Sequence, residues 1–136
     1  MDSSTRRSIR PRLVVPAGNL EKLMFAVAYG ADEVYFGGDM FNLRSQADNF
    51  SLEEIRIAAD HCRERNVRTV FLINSFLHER DTGPAREFIA EIVKIPLDAL
   101  MVSDPGMLAL VRESGTGAAI HLSTQASTLN HLAVRF

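Results

Sequence analysis

One unit recurs five times along this 136-residue chain: a short β-branched or aromatic run, a polar or glycine tip, and an amphipathic helical stretch. The apolar runs predict strands at residues 13–15, 34–36, 69–73, 99–102 and 119–122, and the first of these strands is expected to be buried. Strands that alternate with helices pair in parallel, because only a crossover helix returns the chain to the same end of a sheet. The sequence therefore predicts an α/β fold with about five parallel strand-helix units.

The polar tips follow the predicted strands directly, at residues 16–19, 37–38, 74–75, 103–106 and 123–125. In a parallel sheet all these tips lie at one edge, formed by the carboxyl ends of the strands. Ligands of parallel α/β folds bind at that edge. We therefore expect the functional site among the tips.

Capping signals mark where the helices begin. Asn19 precedes the first helix, Ser51 and Glu54 form a capping box before the second, and Asp104 precedes a proline at the fourth. Pro84 is expected to open the third helix. A further helix is predicted to begin near residue 130.

Composition bounds the chain to one domain with one core, since 46% of the residues are hydrophobic and 24% are charged. A formal charge of −2 excludes a field over the whole surface that would demand nucleic acid or an anionic membrane. We divide the chain into a flexible basic arm, residues 1–11, and a domain at residues 12–136. Arginines crowd the start at positions 6, 7, 10 and 12, where they could contact phosphate.

Cys62 is the single cysteine, so the chain forms no disulfide within itself and builds no thiolate metal cage alone. A reducing cytoplasm is the expected location. No apolar stretch approaches the length that crosses a bilayer, and no membrane partner is expected. The pattern leaves two architectures open: an open doubly wound sheet, or the first part of a (β/α) barrel, which typically needs about 250 residues.

Four ordered segments carry a family resemblance: LVVPAGNLEKLMFAVAYGADEVYFGG, FNLRSQADNFSLEEI, ALMVSDPGMLALV and IHLSTQASTLN. Together they resemble the amino-terminal half of the collagenase-like peptidase family, peptidase family U32. The resemblance covers residues 12–136 and implies a partial TIM-type barrel that is truncated. It also implies a peptidase for peptide or collagen-like substrates, to which this chain supplies part of the barrel and of the substrate pocket. The chain by itself is expected to be inactive.

Two alternatives come with the resemblance. Some relatives hydroxylate RNA bases or ubiquinone precursors without molecular oxygen and carry an iron-sulfur cluster, so the full-length protein could be a hydroxylase of tRNA or rRNA. The family's cysteine signature lies downstream of this chain, and Cys62 does not match it; no cofactor is expected in the chain itself. In the second alternative the chain is a non-catalytic partner subunit. The expected partners are a peptide or RNA substrate, and the missing carboxy-terminal portion or a companion subunit.

The candidate substrate-binding residues are the polar side chains of the tips and of the loop at residues 37–49: Asn19, Asn42, Arg44, Asn74, Asp104, His121 and Gln125. Arg44 is the strongest candidate for an anion contact. An ion pair with Asp39 or Asp48 that merely orders the loop explains it equally well. No catalytic residue is assigned.

Other combinations are weaker candidates. Ser103 or Ser123 with His121 and Asp104 sketches a hydrolase triad, but no strained nucleophile elbow is present and helix capping accounts for Asp104 and Ser123. His78, Glu79 and Asp81 lack the spacing of metal ligands and are interpreted as a solvated loop. No metal site is expected.

Overall fold

The computed structural model of the chain describes residues 10–43 and 49–135. Five parallel strands form one sheet in the order β1-β2-β3-β4-β5. The strands are β1 (Val14–Pro16), β2 (Glu33–Gly37), β3 (Arg68–Ile73), β4 (Ala99–Val102) and β5 (Ala119–Leu122). The pairing is parallel throughout, as predicted, and each strand pairs with its neighbours in sequence.

Helices alternate with the strands. They are α1 (Leu20–Ala28), α2 (Leu52–Glu64), α3 (Thr82–Ile92), α4 (Pro105–Glu113) and the short α5 (His131–Arg135), with 3₁₀ turns at Glu79–Asp81 and Thr124–Ala126. None of the helices in the described part of the chain combines the length and the apolar character needed to cross a bilayer.

The strand order decides between the two architectures that the sequence left open. A doubly wound sheet reverses its strand order at a switch point, whereas this sheet runs in sequence order throughout. The structure is therefore part of a (β/α) barrel.

The two faces of the sheet differ in what covers them. On the helix face, Phe36, Phe71 and Leu100 share one register row, are at most 1% exposed and belong to the main core. The rings of Phe36 and Phe71 lie 5.6 Å apart, with Phe50 adding a second contact to Phe36 at 4.7 Å. The opposite face, which we call the open face, carries Tyr35, Val70 and Ala99 outside that core.

The predicted helix starts are confirmed. Asn19 Oδ1 accepts from the Lys22 N–H at 2.9 Å, and Asp104 Oδ2 accepts from the Met107 N–H at 2.9 Å. Ser51 and Glu54 form both halves of the capping box. The exception is α3, which begins at Thr82, two residues before Pro84; proline is tolerated there because first-turn N–H groups have no helical partner.

The first strand was predicted to be buried, and this is wrong for the described residues. Val14 is 47% exposed and Leu13 before it is 50% exposed. Local apolar character could not reveal that β1 lies at an edge of the sheet.

The predicted basic arm falls almost wholly outside the described residues. Of its described part, Arg10 lies 3.5 Å from the Asp32 carboxylate, and Arg12, which opens the predicted domain, lies 3.7 Å from Glu33.

Candidate functional site

The candidate site lies on the open face at the carboxyl ends of the strands. Gly37, Leu72, Met101 and His121 occupy one register row across β2 to β5. Leu72, Met101 and His121 are half-buried. Because side chains alternate along a strand, this row forms an apolar floor that ends in an imidazole. We call these residues the tip row.

Asn42 fills the gap that glycine leaves in the tip row. A Cβ on Gly37 would lie 2.3 Å from Asn42 Nδ2 and 2.7 Å from its Cγ, so the amide occupies the space of the missing side chain. Asn42 is 7% exposed, and its Nδ2 donates to Asn49 Oδ1 at 3.1 Å. A predicted binding residue is thus placed on the open face by a glycine.

The loop after β2 is fastened to the tip of β3. The Leu43 N–H donates to Asn74 Oδ1 at 3.5 Å, and the Ser75 N–H donates to the Phe41 carbonyl at 3.1 Å. Phe41 has a φ of 55°, a left-handed conformation that is uncommon for an aromatic residue. Asn42 and Asn74, two of the predicted residues, are therefore held by one set of loop contacts.

Two serines lie directly after β4 and β5, each two residues beyond the tip row. Ser103 is 6% exposed, and its Oγ has no hydrogen-bond partner among the described residues. Ser123 is equally buried; its Oγ accepts from the Gln125 N–H at 3.3 Å, and its own N–H donates to the Val102 carbonyl. A buried hydroxyl without a partner is unusual in a folded protein.

The structure does not bring all the predicted residues into the site. Asn19 and Asp104 each use a side-chain oxygen to cap the following helix. Gln125 lies in the exposed 3₁₀ turn. Arg44, the strongest predicted anion contact, lies outside the described residues. Asn42, Asn74 and His121 remain as the predicted residues that line the tips of neighbouring strands.

Tyr35 was missed by the sequence reasoning. It lies on the open face in the row below, beside Val70 and Ala99. The alternation of side chains along the predicted strand could have found it, because Tyr35 lies between Val34 and Phe36. Both of these neighbours are buried in the helix-side core, so Tyr35 faces the other way.

The charged side chains of the open face lie at the amino ends of the strands, away from the tip row. Glu33, the first residue of β2, has both Arg12 and Arg68 at 3.7 Å. No Asp, Glu, Lys or Arg occupies the tip row. The site thus offers amide, hydroxyl and imidazole groups over an apolar floor.

The described residues do not suit a metal cluster. Within residues 10–43 and 49–135, no three His, Cys, Asp or Glu side chains lie close enough to hold a metal ion. Cys62 lies in the core on α2, where burial, with the Asp98 carboxylate as a smaller cause, raises its pKa to about 11. Iron-sulfur clusters are held by thiolates, so Cys62 does not fit that role.

The sketched triad is not assembled either. Asp104 Oδ2 is directed at the N-terminus of α4, and no described group, His121 included, bonds Ser103 Oγ. The other weak candidate, His78 with Glu79 and Asp81, forms a turn before α3 in which Asp81 Oδ2 accepts from the His78 backbone N–H.

Comparisons with known proteins identify the family to which this chain is similar. The family model described as "Peptidase family U32" matches residues 18–136. The chain is 36% identical over 127 residues to "tRNA hydroxylation protein P1" of Bacillus subtilis, covering 93% of this chain and 30% of that protein. It is 33% identical to "tRNA hydroxylation protein P" of Escherichia coli, with 93% and 28% covered. "Collagenase" of Porphyromonas gingivalis is 34% identical, with 91% and 30% covered.

The chain thus spans about 30% of the length of these relatives. Among solved structures, the U32 peptidase Mk0906 superposes with a TM-score of 0.59 over 88% of this chain and 51% of that one. Their sequence identity is 15%, so this likeness concerns the fold alone. Together, the family match over residues 18–136 and relatives above 30% identity establish that the chain belongs to peptidase family U32.

Proposed function

We propose that this chain forms one wall of the substrate pocket of an enzyme that hydroxylates a base in RNA. The observation that carries the proposal is the identity of 33–36% over 93% of the chain to proteins named for tRNA hydroxylation. The sequence reasoning ranked this function second, behind a peptidase.

The geometry of the tip row supports a nucleobase as the ligand. A base is a flat, uncharged ring whose edge carries hydrogen-bond donors and acceptors, and proteins hold extruded bases with apolar or aromatic side chains and a few polar groups. Leu72 and Met101 supply the apolar floor, and Asn42, Asn74 and Ser103 supply the polar groups at its end. The tip row contains no Asp, Glu, Lys or Arg, which fits an uncharged ligand.

The reaction itself would need groups from outside this chain. Ser103, His121 and Asp104 are not joined into a nucleophile and base, and Cys62 is unsuited to bind iron. An iron-sulfur cluster in the complete protein therefore requires ligands beyond these 136 residues. The role proposed for this chain is to bind and orient the base, in the cytoplasm where RNA substrates occur.

A peptidase is the second candidate. It is supported by the family's name and by the 34% identity to the Porphyromonas gingivalis collagenase. Asn42 and Asn74 would then hold peptide carbonyl and N–H groups, which amide side chains bind equally well.

Nucleoside analysis of tRNA and rRNA from a strain that lacks the gene tests the proposal. We expect one hydroxylated nucleoside to disappear and to return when the gene is restored. Restoration with His121→Ala should recover at most about a tenth of the modification. The matched control is His131→Ala, an exposed histidine on α5, which should restore it fully.

An unchanged set of hydroxylated nucleosides in the deletion strain would contradict RNA hydroxylation. Cleavage of denatured collagen by the purified protein would then favour the second candidate.

A further inference from the structure

A groove lies between α1 and α2 on the outer surface of the helices. Its volume is about 460 Å³, and it is lined by Glu21, Met24, Phe25 and Ala28 of α1 and by His61 and Arg65 of α2. We call these six residues the α1–α2 groove. Leu23 and Val27, the buried residues of α1, belong to the core. The groove therefore lies outside the core and apart from the candidate site.

The centre of the groove is apolar although it is open to solvent. Met24 is 38% exposed and Phe25 is 57% exposed. Ile57, one helical turn before His61 on α2, is 40% exposed. It extends the apolar surface, because residues four positions apart lie on one face of a helix. A single exposed apolar side chain is ordinary, whereas a contiguous apolar patch with a polar rim marks an interaction site.

Charged side chains surround this apolar centre. Glu21 lies in the first turn of α1 and Arg65 follows the last turn of α2, so opposite ends of the groove carry opposite charges. On the outer side of α2, Asp60 pairs with Arg63 at 2.8 Å, and Glu64 pairs with Arg65 at 3.3 Å. These exposed pairs contribute little to stability, so their charges remain available to a partner. An apolar centre within a polar rim is the anatomy of a protein–protein interface.

We propose that the α1–α2 groove is the contact surface of a symmetric dimer of this chain. The twofold axis lies in the contact plane and crosses the helices at right angles, so each helix runs antiparallel to its copy. Symmetry then makes every contact reciprocal. Glu21 of one copy lies beside Arg65 of the other, and the same pair forms at the opposite end. Phe25 of each copy packs over Ala28 of the other, whose small side chain leaves room for the ring.

The charges select this axis. Because α1 and α2 both connect parallel strands, they run in the same direction. An axis parallel to the helices would place the acidic first turn of α1, with Glu21, against the acidic first turn of α2, with Glu53 and Glu54. Such like-charge contacts are unfavourable. The perpendicular axis instead brings the acidic first turn of α2 to the end of the copy's α2 that carries Arg63 and Arg65.

RNA fits this surface less well than a second copy does. The rim carries Glu21, Asp60 and Glu64, and both of its arginines already lie against a carboxylate. No excess of positive charge is therefore present to attract phosphates. The groove lies on the helical side of the sheet, so a dimer leaves the open face and its tip row accessible in both copies.

Charge reversal tests the contact by analytical ultracentrifugation of the whole 136-residue chain. Glu21→Lys and Arg65→Glu should each weaken self-association by about tenfold, because each variant meets like charges in its own dimer. An equimolar mixture of the two variants should regain the wild-type affinity. In the mixed dimer the introduced lysine faces the introduced glutamate, and the native pair forms at the other end. A mixture that associates no better than the separate variants would overturn the proposal. A wild-type chain that stays monomeric at about 1 mM would overturn it in favour of a different protein as the occupant.

A second pair of variants tests the apolar centre. Phe25→Asp should abolish the dimer while circular dichroism shows an unchanged fold. The matched control is Leu129→Asp, an 88% exposed apolar residue beyond β5, which should leave the dimerisation constant unchanged. Loss of the dimer in the control, with Phe25→Asp still dimeric, would place the contact near β5 and overturn the proposal. The outcome does not depend on RNA hydroxylation, because no substrate is involved.

Discussion

At the residue scale, the Asn42 side chain occupies the space that the missing side chain of Gly37 leaves at the candidate site. Asn42 was a candidate binding residue from the sequence, and Gly37 was placed at the tip that follows the second strand. The structure gives the glycine a different function, since its missing side chain makes room for the Asn42 amide on the open face. This relation could not be seen in the sequence, because it depends on how the loop folds back over β2.

Gly37→Ala should destabilise the protein. The added methyl carbon would lie 2.3 Å from Asn42 Nδ2, and Asn42 is buried, so the amide must move and strain the loop. Overpacking of this kind costs about 1–3 kcal/mol, measurable by urea unfolding.

The control is Gly117→Ala in the loop before β5, where an added Cβ meets no atom within 4 Å and the backbone φ lies outside the left-handed region. Replacing glycine by alanine at such a compatible position stabilises a protein by about 0.4–1 kcal/mol, so this variant should be more stable. Equal changes in the two variants would refute the packing argument.

Cys62 should react slowly with thiol reagents. Burial raises its pKa to about 11 from an ordinary value of 9.0, and the thiolate is the reactive form. We expect labelling by a disulfide reagent at pH 8 to be at least 100-fold slower in the native protein than in urea. Comparable rates would show that Cys62 is accessible.

The same shift sets a pH dependence of stability. The folded protein holds the thiol proton of Cys62 more tightly than the unfolded chain does. The protonated thiol therefore contributes to the free energy of unfolding below pH 9, and this contribution is lost as the pH rises towards 11.

At the element scale, helix starts were the most predictable feature. The caps at Asn19, Ser51 and Asp104 depend on residues three positions apart at most, so a short stretch of sequence is enough to predict them. The burial of β1 was mispredicted for the opposite reason, since burial depends on elements remote in sequence.

The capping box at α2 predicts a pH-dependent stability. Glu54 accepts from the Ser51 N–H at 2.9 Å and the Ser51 Oγ–H at 2.8 Å, and these bonds lower its pKa below 4.5. A carboxylate whose pKa is lower in the folded protein stabilises the fold at pH values above its unfolded-state pKa. This stabilisation is lost as the pH falls through the folded-state pKa. Glu54→Gln should therefore reduce the free energy of unfolding at pH 7, with a smaller reduction below pH 4.

Ser51→Ala is the companion variant, and it removes the cap at a cost of about 1 kcal/mol. In that background the effect of Glu54→Gln at pH 7 should be reduced but not abolished, because Glu54 can still accept from the backbone N–H of residue 51; chemical unfolding would measure both. An undiminished effect would mean that Glu54 acts through other contacts.

At the scale of the whole molecule, the core is centred on β2 to β4 and thins towards β5. Leu100 and Leu122 lie on the same face of the sheet, but the first is 1% exposed and the second is 52% exposed. Leu100→Ala should cost about 2–5 kcal/mol of stability, because it opens a cavity in a packed core. Leu122→Ala should cost less than about 1 kcal/mol in the isolated chain, as measured by urea unfolding. Similar costs for both would show that β5 is covered.

The sequence alone determined what is local or periodic in this protein. Alternating apolar runs and helical stripes fixed five parallel strand-helix units, capping residues fixed most helix starts, and the chain direction placed the polar tips at one edge. Four motifs in order identified the family.

Tertiary structure decided which side chains are used for packing and which remain for a ligand. Asn19 carries the same amide as Asn42 and Asn74, yet it caps a helix, as the Asp104 carboxylate also does, whereas Asn42 and Asn74 line the open face. The unpartnered hydroxyl of Ser103 and the exposed Leu122 appear only in three dimensions. The physical reason is that burial and hydrogen bonding at a site are set by contacts between segments distant in the chain, whereas capping and periodicity act within a few residues.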